Sequence, residues 1–218
     1  MQELYTTIKG TLEKVHKFVQ KNRNQDDLGK IVIKKGADGF PTTSIDKIVE
    51  DKIIDYLSND SYTMITEEQG TINPGKDIIL LIDPIDGTTN AVAHIPFFST
   101  SIAVVHNNKV MAGFVLDHAT GNLFHGYKNK GAFLNKQKLQ PNRDKKSKMF
   151  IGLGRPKSSS ELSILQDLFL NHRTRMLCSP SLQLCYTAAG FFDSTIELHD
   201  PPLINILDIA AGKVILEE

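Results

Sequence analysis

Residues 77–90, DIILLIDPIDGTTN, constrain this chain more than any other stretch. The apolar run Ile78 to Ile82 reads as a buried strand, and it ends in two aspartates, Asp83 and Asp86, separated by Pro84 and Ile85. Strands of layered α/β folds deliver functional side chains at their carboxyl ends. Pro84 stiffens the turn, so that two carboxylates can converge on one cation. Gly87 and Thr88 follow at a predicted helix start, where orphan N–H donors and the helix dipole favour a phosphate oxygen. Metal and phosphate would then share one turn.

Taken alone, an Asp-Pro-x-Asp-Gly string is more often a plain type I turn. It is no EF-hand, because the glycine is the fifth residue counted from Asp83 and the twelfth is His94. Context argues for chemistry. Sixteen residues before Asp83, a second short strand, Tyr62 to Thr66, ends in Glu67-Glu68. A pair of glutamates is usually a solvated strand end, and only its pairing with residues 83–90 makes it a candidate. Hard carboxylate ligands without a histidine cluster suit Mg²⁺ or Mn²⁺ and argue against zinc.

Around this centre the pattern is mixed α/β. Leu4, Ile8, Leu12, Val15 and Val19 recur at helical spacing, and Ile45, Ile48, Val49, Ile53 and Leu57 form the stripe of a second helix with Ser44 as its expected N-cap. Residues 99–134 alternate β-branched and aromatic runs with turn residues at Asn107-Asn108 and Thr120-Gly121-Asn122, which predicts an antiparallel meander. A polar connection follows at 140–148. Further elements are a strand over 149–153, helices over 161–170 and 181–189, a strand over 194–198 and a last helix beginning near Asp208. The expected division is an α+β part over 1–140 carrying the main metal site, and an incomplete α/β part over 141–218.

The 218 residues carry 25 basic and 25 acidic side chains, so no net field steers the chain to nucleic acid or an anionic membrane surface. A small ligand is the better expectation. Cys178 and Cys185 read as free thiols, and with no signal-peptide or membrane-length apolar run the expectation is a soluble, cytoplasmic protein. The seven histidines show no metal-ligand spacing, and His106, His118 and His125 are expected at the surface of hairpins. There is no P-loop, and GLGRPK at 152–157 lacks the third glycine of a dinucleotide fingerprint.

The motifs EEQG at 67–70, IDPIDGTTN at 82–90, IPFF at 95–98, NKGAFLNKQKL at 129–139, SLQLCYTAAGFFD at 181–193 and LDIAAG at 207–212 together resemble the inositol monophosphatase family of magnesium-dependent, lithium-sensitive phosphatases. The loop GADGFPTTSID is similar to archaeal-type members acting on both inositol phosphates and fructose 1,6-bisphosphate. The resemblance implies a layered αβαβα sandwich of the sugar phosphatase type, usually homodimeric, with two to three Mg²⁺ ions for which Mn²⁺ can substitute.

Carried over residue by residue, it implies that Glu67, Asp83 and the Ile85 carbonyl hold a first ion, and that Asp83, Asp86 and Asp208 hold a second. Glu67 would also help hold a third ion and the attacking water, with Thr88 bonded to that water and Asp46 behind Thr88. Gly87 and Thr88 would contact the phosphate, and Asp86, Ser179 and Glu197 the substrate. Its substrate would be a small phosphorylated sugar or polyol.

Two departures stand out. Extra residues, including Pro201-Pro202, separate Glu197 from Asp208, and the family continues past the position of Glu218 with strands and a terminal helix, so the chain reads as C-terminally truncated. A 3′-phosphonucleotide phosphatase of the same superfamily and an inactive dimerisation or regulatory module are the competing expectations.

Overall fold

The computed structural model describes residues 1–23, 27, 29–33, 36–37, 41–57, 61–140, 148–198 and 205–218. The connection at 140–148, the loop GADGFPTTSID and Pro201-Pro202 fall wholly or partly outside this set.

Five layers stack in the order helix, sheet, helix, sheet, helix. The first holds α1 (Gln2–Asn22) and α2 (Ser44–Leu57), whose apolar stripes include Ile8, Leu12 and Val15 on one helix and Val49 and Ile53 on the other. They cover one face of an eight-stranded sheet built from β3 (Thr63–Thr66), β4 (Gly70–Ile72), β5 (Ile78–Asp86), β6 (Ser99–His106), β7 (Lys109–Asp117), β8 (Leu123–Tyr127), β9 (Gly131–Leu134) and β10 (Gln137–Lys138). Two short segments before α2, β1 (Ile31–Ile33) and β2 (Thr42–Thr43), form a ribbon apart from it.

The large sheet runs β10-β9-β8-β7-β6-β5-β3-β4 and is antiparallel except between β3 and β5. That one parallel pair brings the carboxyl ends of β3 and β5, and with them Glu67 and Asp83, to the same edge. The predicted meander is present, with Asn107 and Asn108 both at positive φ in the β6–β7 turn, where the twist of a two-residue hairpin requires it.

On the other face lie α5 (Pro180–Ala188) and α6 (Ile206–Glu217), which bury Leu182, Cys185, Leu207, Ala211 and Ile215 against Leu81, Ala103, Val115 and Phe124. Beyond them β12 (Arg173–Arg175), β11 (Phe150–Leu153) and β13 (Ser194–Ile196) make a parallel three-stranded sheet. The outermost helix, α4 (Ser159–Asn171), packs Leu165 on that sheet.

Three expectations need correction. Ser44 is the first residue of α2 and its hydroxyl donates to the Asp27 carbonyl, while Asp46 reaches back to accept from the Thr43 N–H and hydroxyl. The strand at 78 does not stop at Ile82 but continues through Asp86. His118 and His125 are buried, at 0% and 5% exposure, because α1 lies over that side of the sheet.

Candidate active site

Asp83 and Asp86 are three residues apart, a spacing that in a regular strand would send them to opposite faces. A β-bulge cancels the difference. Asp83 pairs with Ser101 and Asp86 with Ser99, so that Pro84 and Ile85 together oppose the single residue Thr100. Bulges re-aim side chains in this way, and a proline is tolerated there because its missing N–H falls where the ladder is already interrupted. Both aspartates therefore face the α5–α6 layer.

Asp86 is held tightly on that side. Its Oδ2 accepts from the Ser179 hydroxyl at 2.7 Å, the Ser181 N–H at 2.9 Å, the Ser181 hydroxyl, the Leu182 N–H at 3.4 Å and the Ser99 hydroxyl at 3.3 Å. The start of α5 thus clamps one carboxylate oxygen. Burial raises the Asp86 pKa, and the bonds from Ser181 and Ser179 work against that rise by favouring the anion.

Glu67 follows β3 in a loop fixed by a neighbour that is itself buried. Glu50 of α2, at 0% exposure, accepts from the backbone N–H groups of Glu68 and Gln69 at 2.9 and 3.0 Å. Glu68, its side chain bonded to the Thr42 hydroxyl, is turned into the protein. Glu67 remains facing Asp83, whose pKa its charge raises.

Asp208 arrives from the first turn of α6. It occupies N3 of a capping box, with its Oδ2 near the Asn205 N–H at 3.3 Å and the Asn205 side chain accepting from the Leu207 N–H at 3.2 Å. Its charge reaches both neighbours. Burial, and then the Asp208 carboxylate, push the Glu67 pKa up to about 9. Burial, and then Glu67, Asp86 and Asp208, hold Asp83 well above the usual carboxylate range. Four acids from β5, the end of β3 and α6 therefore face one another.

Among the described residues, no group of three or more Asp, Glu, His or Cys side chains stands in chelating range. The donors nevertheless fit a hard divalent cation. Asp83 Oδ1 is buried without a hydrogen-bond partner, which is costly for a carboxylate unless a cation supplies the missing contact. The donors named above for the ions, the carboxylates of Glu67, Asp83, Asp86 and Asp208 and the Ile85 carbonyl, are all the hard oxygens such a cation prefers.

Beside this cluster, the Thr88 hydroxyl lies 2.9 Å from Asp46 Oδ1 and 3.0 Å from the Ile85 carbonyl, and donates its one hydrogen to one of them. Gly87 has φ of 94°, and a Cβ there would meet Ser179, the Cys178 carbonyl and the Phe97 carbonyl at 3.2–3.3 Å. The positive φ favours glycine there, and the close neighbours add to the preference. Ser179, expected to face a substrate, is fully buried with its hydroxyl given to Asp86. Glu197 follows β13 and lies so close over Gly154 that a Cβ at 154 would overlap its carboxylate. Burial pushes its pKa up to about 7, against a hydrogen bond from Gln183 at 3.2 Å.

With this geometry in hand, comparison with known proteins is direct. The family model described as the inositol monophosphatase family matches residues 1–218. The chain belongs to that family. It is 35% identical over 228 residues to the fructose-1,6-bisphosphatase/inositol-1-monophosphatase of Methanothermobacter thermautotrophicus, covering 94% of this chain and 78% of that protein. It superposes with a TM-score of 0.87 on a solved inositol monophosphatase-fructose 1,6 bisphosphatase, at 28% identity over 98% of this chain and 82% of the other. The suhB protein of Bartonella henselae gives the same TM-score at 23% identity, covering 99% and 84%, and so shares the fold.

Several residues that shape this site were given no role by the sequence. Glu50 and Ser99 stand out only through burial and long-range pairing, and Ser181, inside the motif at 181–193, through its bonds to Asp86. Gly113, Gly126 and Gly212 belong with them. A Cβ at Gly113 would sit 2.3 Å from the Ala211 carbonyl, one at Gly126 2.9 Å from the Ile215 Cα, and one at Gly212 2.9 Å from the Ser181 carbonyl. These three gaps let α6 lie against the sheet and α5, which is what carries Asp208 to the acids.

Proposed function

We propose that this phosphomonoesterase hydrolyses the phosphate of a small sugar or polyol, an inositol monophosphate or fructose 1,6-bisphosphate, and that it depends on Mg²⁺. One observation carries the reading: the buried, unpartnered Asp83 Oδ1 within a set of acids that raise one another's pKa. Such repulsion persists in a folded chain where a bound cation offsets it.

Glu67, Asp83, Asp86, Asp208 and the Ile85 carbonyl would hold the ions. Bound divalent cations would polarise the phosphoryl oxygens, lower the pKa of a water and neutralise the leaving alkoxide. The chain's own groups do the positioning. When Thr88 gives its hydrogen to Asp46, the Thr88 oxygen is left as an acceptor, able to take a hydrogen bond from the attacking water and aim it. The Gly87 and Thr88 backbone N–H groups would receive phosphate oxygens. Glu197, whose pKa near 7 leaves it able both to accept and to donate, suits a substrate hydroxyl.

The test is phosphate release from a panel of inositol monophosphate, fructose 1,6-bisphosphate and a 3′-phosphonucleotide, with and without Mg²⁺. Release from the first two that requires Mg²⁺, and its loss in Asp86→Asn, is the expected result. A folded wild type that releases nothing would favour an inert dimerisation or regulatory module instead.

A further inference from the structure

The face of β5 opposite the acids carries a second arrangement. The bulge removes the Pro84 carbonyl from the ladder between β5 and β6, and it accepts instead from the Thr100 hydroxyl at 2.7 Å. The same hydroxyl oxygen lies 2.8 Å from His118 Nε2. A carbonyl only accepts, and a threonine hydroxyl has one hydrogen, so that hydrogen points to Pro84 and Nε2 must be the donor. His118 is therefore neutral with its proton on Nε2, which agrees with Nδ1 being buried without a partner and with burial lowering its pKa to about 3.

The histidine is clamped. Its ring stacks between Phe98 at 5.3 Å and His16 of α1 at 5.7 Å, its N–H donates to the Phe98 carbonyl, and its own carbonyl accepts from Gln20 of α1 at 2.5 Å. A directed chain of donors thus runs from α1, through His118 and Thr100, to the peptide that separates Asp83 from Asp86.

We infer that Thr100 and His118 are positioning residues, which lock the Pro84 peptide from behind and so hold Asp83 and Asp86 at the separation cation binding requires. The inference rests on reading those acids as a cation site. Neither residue touches the acids, so their effect would pass through the backbone. Outer partners that orient ligands are commonly worth about 10–100-fold in metal affinity.

Two pairs of variants test it in the chain of residues 1–218. Thr100→Val removes the hydroxyl at constant shape, and Thr100→Ser keeps it; His118→Leu removes the donor, and His118→Gln supplies an amide N–H in its place. Isothermal titration with Mg²⁺ is expected to show binding about ten-fold weaker in the Val and Leu variants and within about two- to three-fold of wild type in the Ser and Gln variants. Hydrogen exchange at the Ile85 and Asp86 amides, measured in EDTA, is expected to be at least about ten-fold faster in Val and Leu only.

Unfolding curves confirm that each variant is folded. Unchanged exchange and affinity in folded Val and Leu variants would overturn the inference, as would a Gln variant no better than Leu. A wild type that binds no Mg²⁺ would count against the cation reading alone, and the exchange rates would still decide the relay.

Discussion

Asp83 is the residue at which the site works against the fold. A buried carboxylate that accepts no hydrogen bond at Oδ1 and faces Glu67, Asp86 and Asp208 stabilises nothing by itself. In a metal-free chain, Glu67 titrates from an ordinary 4.5 up to about 9, and Asp83 is raised as well. At these two acids the folded state therefore holds protons that the unfolded state has released, so their contribution to stability is greatest below about pH 4 and is lost as pH rises toward 9. Asp83→Asn is expected to abolish phosphate release yet to melt higher than wild type at pH 8 in EDTA, by about 2–4 °C for each kcal/mol of repulsion relieved. At pH 4 the two melting curves should converge. A variant no more stable than wild type at pH 8 would mean that the acids do not repel one another. Asp83 and Asp86 were legible in the sequence, because a strand ending in Asp-Pro-Ile-Asp-Gly is a local pattern, whereas Asp208, far downstream, entered only through the family resemblance. The common orientation of Asp83 and Asp86 was not legible, since it depends on a bulge that exists only once β5 pairs with Ser99, Thr100 and Ser101 of β6.

At the level of elements, the decisive contact is α6 against the large sheet. Apolar periodicity made α1, α2 and the hairpins readable, because each shows one face to the core. The last helix is apolar nearly all round, with Leu207, Ala210, Ala211, Val214 and Ile215 buried, and its small residues gave no sign of which neighbour they approach. The answer lies in Gly113, where any side chain would collide with the backbone of α6. Gly113→Ala is expected to cost about 1–3 kcal/mol, as overpacking does, and to weaken Mg²⁺ binding by displacing Asp208. Gly10→Ala is the matched control. Gly10 lies inside α1, and a Cβ added there would meet nothing within 4 Å, so the change should stabilise by about 0.5–1 kcal/mol and leave Mg²⁺ binding unaltered. Denaturant titration and calorimetry on the two variants separate backbone crowding from a general effect of alanine.

Across the whole molecule, the acids come from different layers. Asp83 and Asp86 belong to the large sheet and Glu67 to the loop that follows β3, whereas Asp208 is carried by the helical layer above; α6 is otherwise joined to that sheet by apolar packing and, at its far end, by the Glu218 carboxylate, which accepts from the Asn129, Lys130 and Gly131 N–H groups. A cation shared among them would tie two layers together, so its binding free energy should appear as resistance of α6 to opening. At Mg²⁺ about 100 times its dissociation constant, the linked stabilisation is about 2.7 kcal/mol, or about 5–10 °C in melting temperature for a chain of this size. Mg²⁺ is therefore expected to raise the melting temperature of wild type and to slow hydrogen exchange along residues 206–217. In Asp208→Asn, ions held by the sheet acids alone could still raise the melting temperature in part, but the added protection of α6 should vanish. That difference distinguishes a site assembled between layers from one confined to the β5 turn: if α6 is protected equally in both proteins, Asp208 is only a helix cap, and the capping box it forms with Asn205 is its whole role.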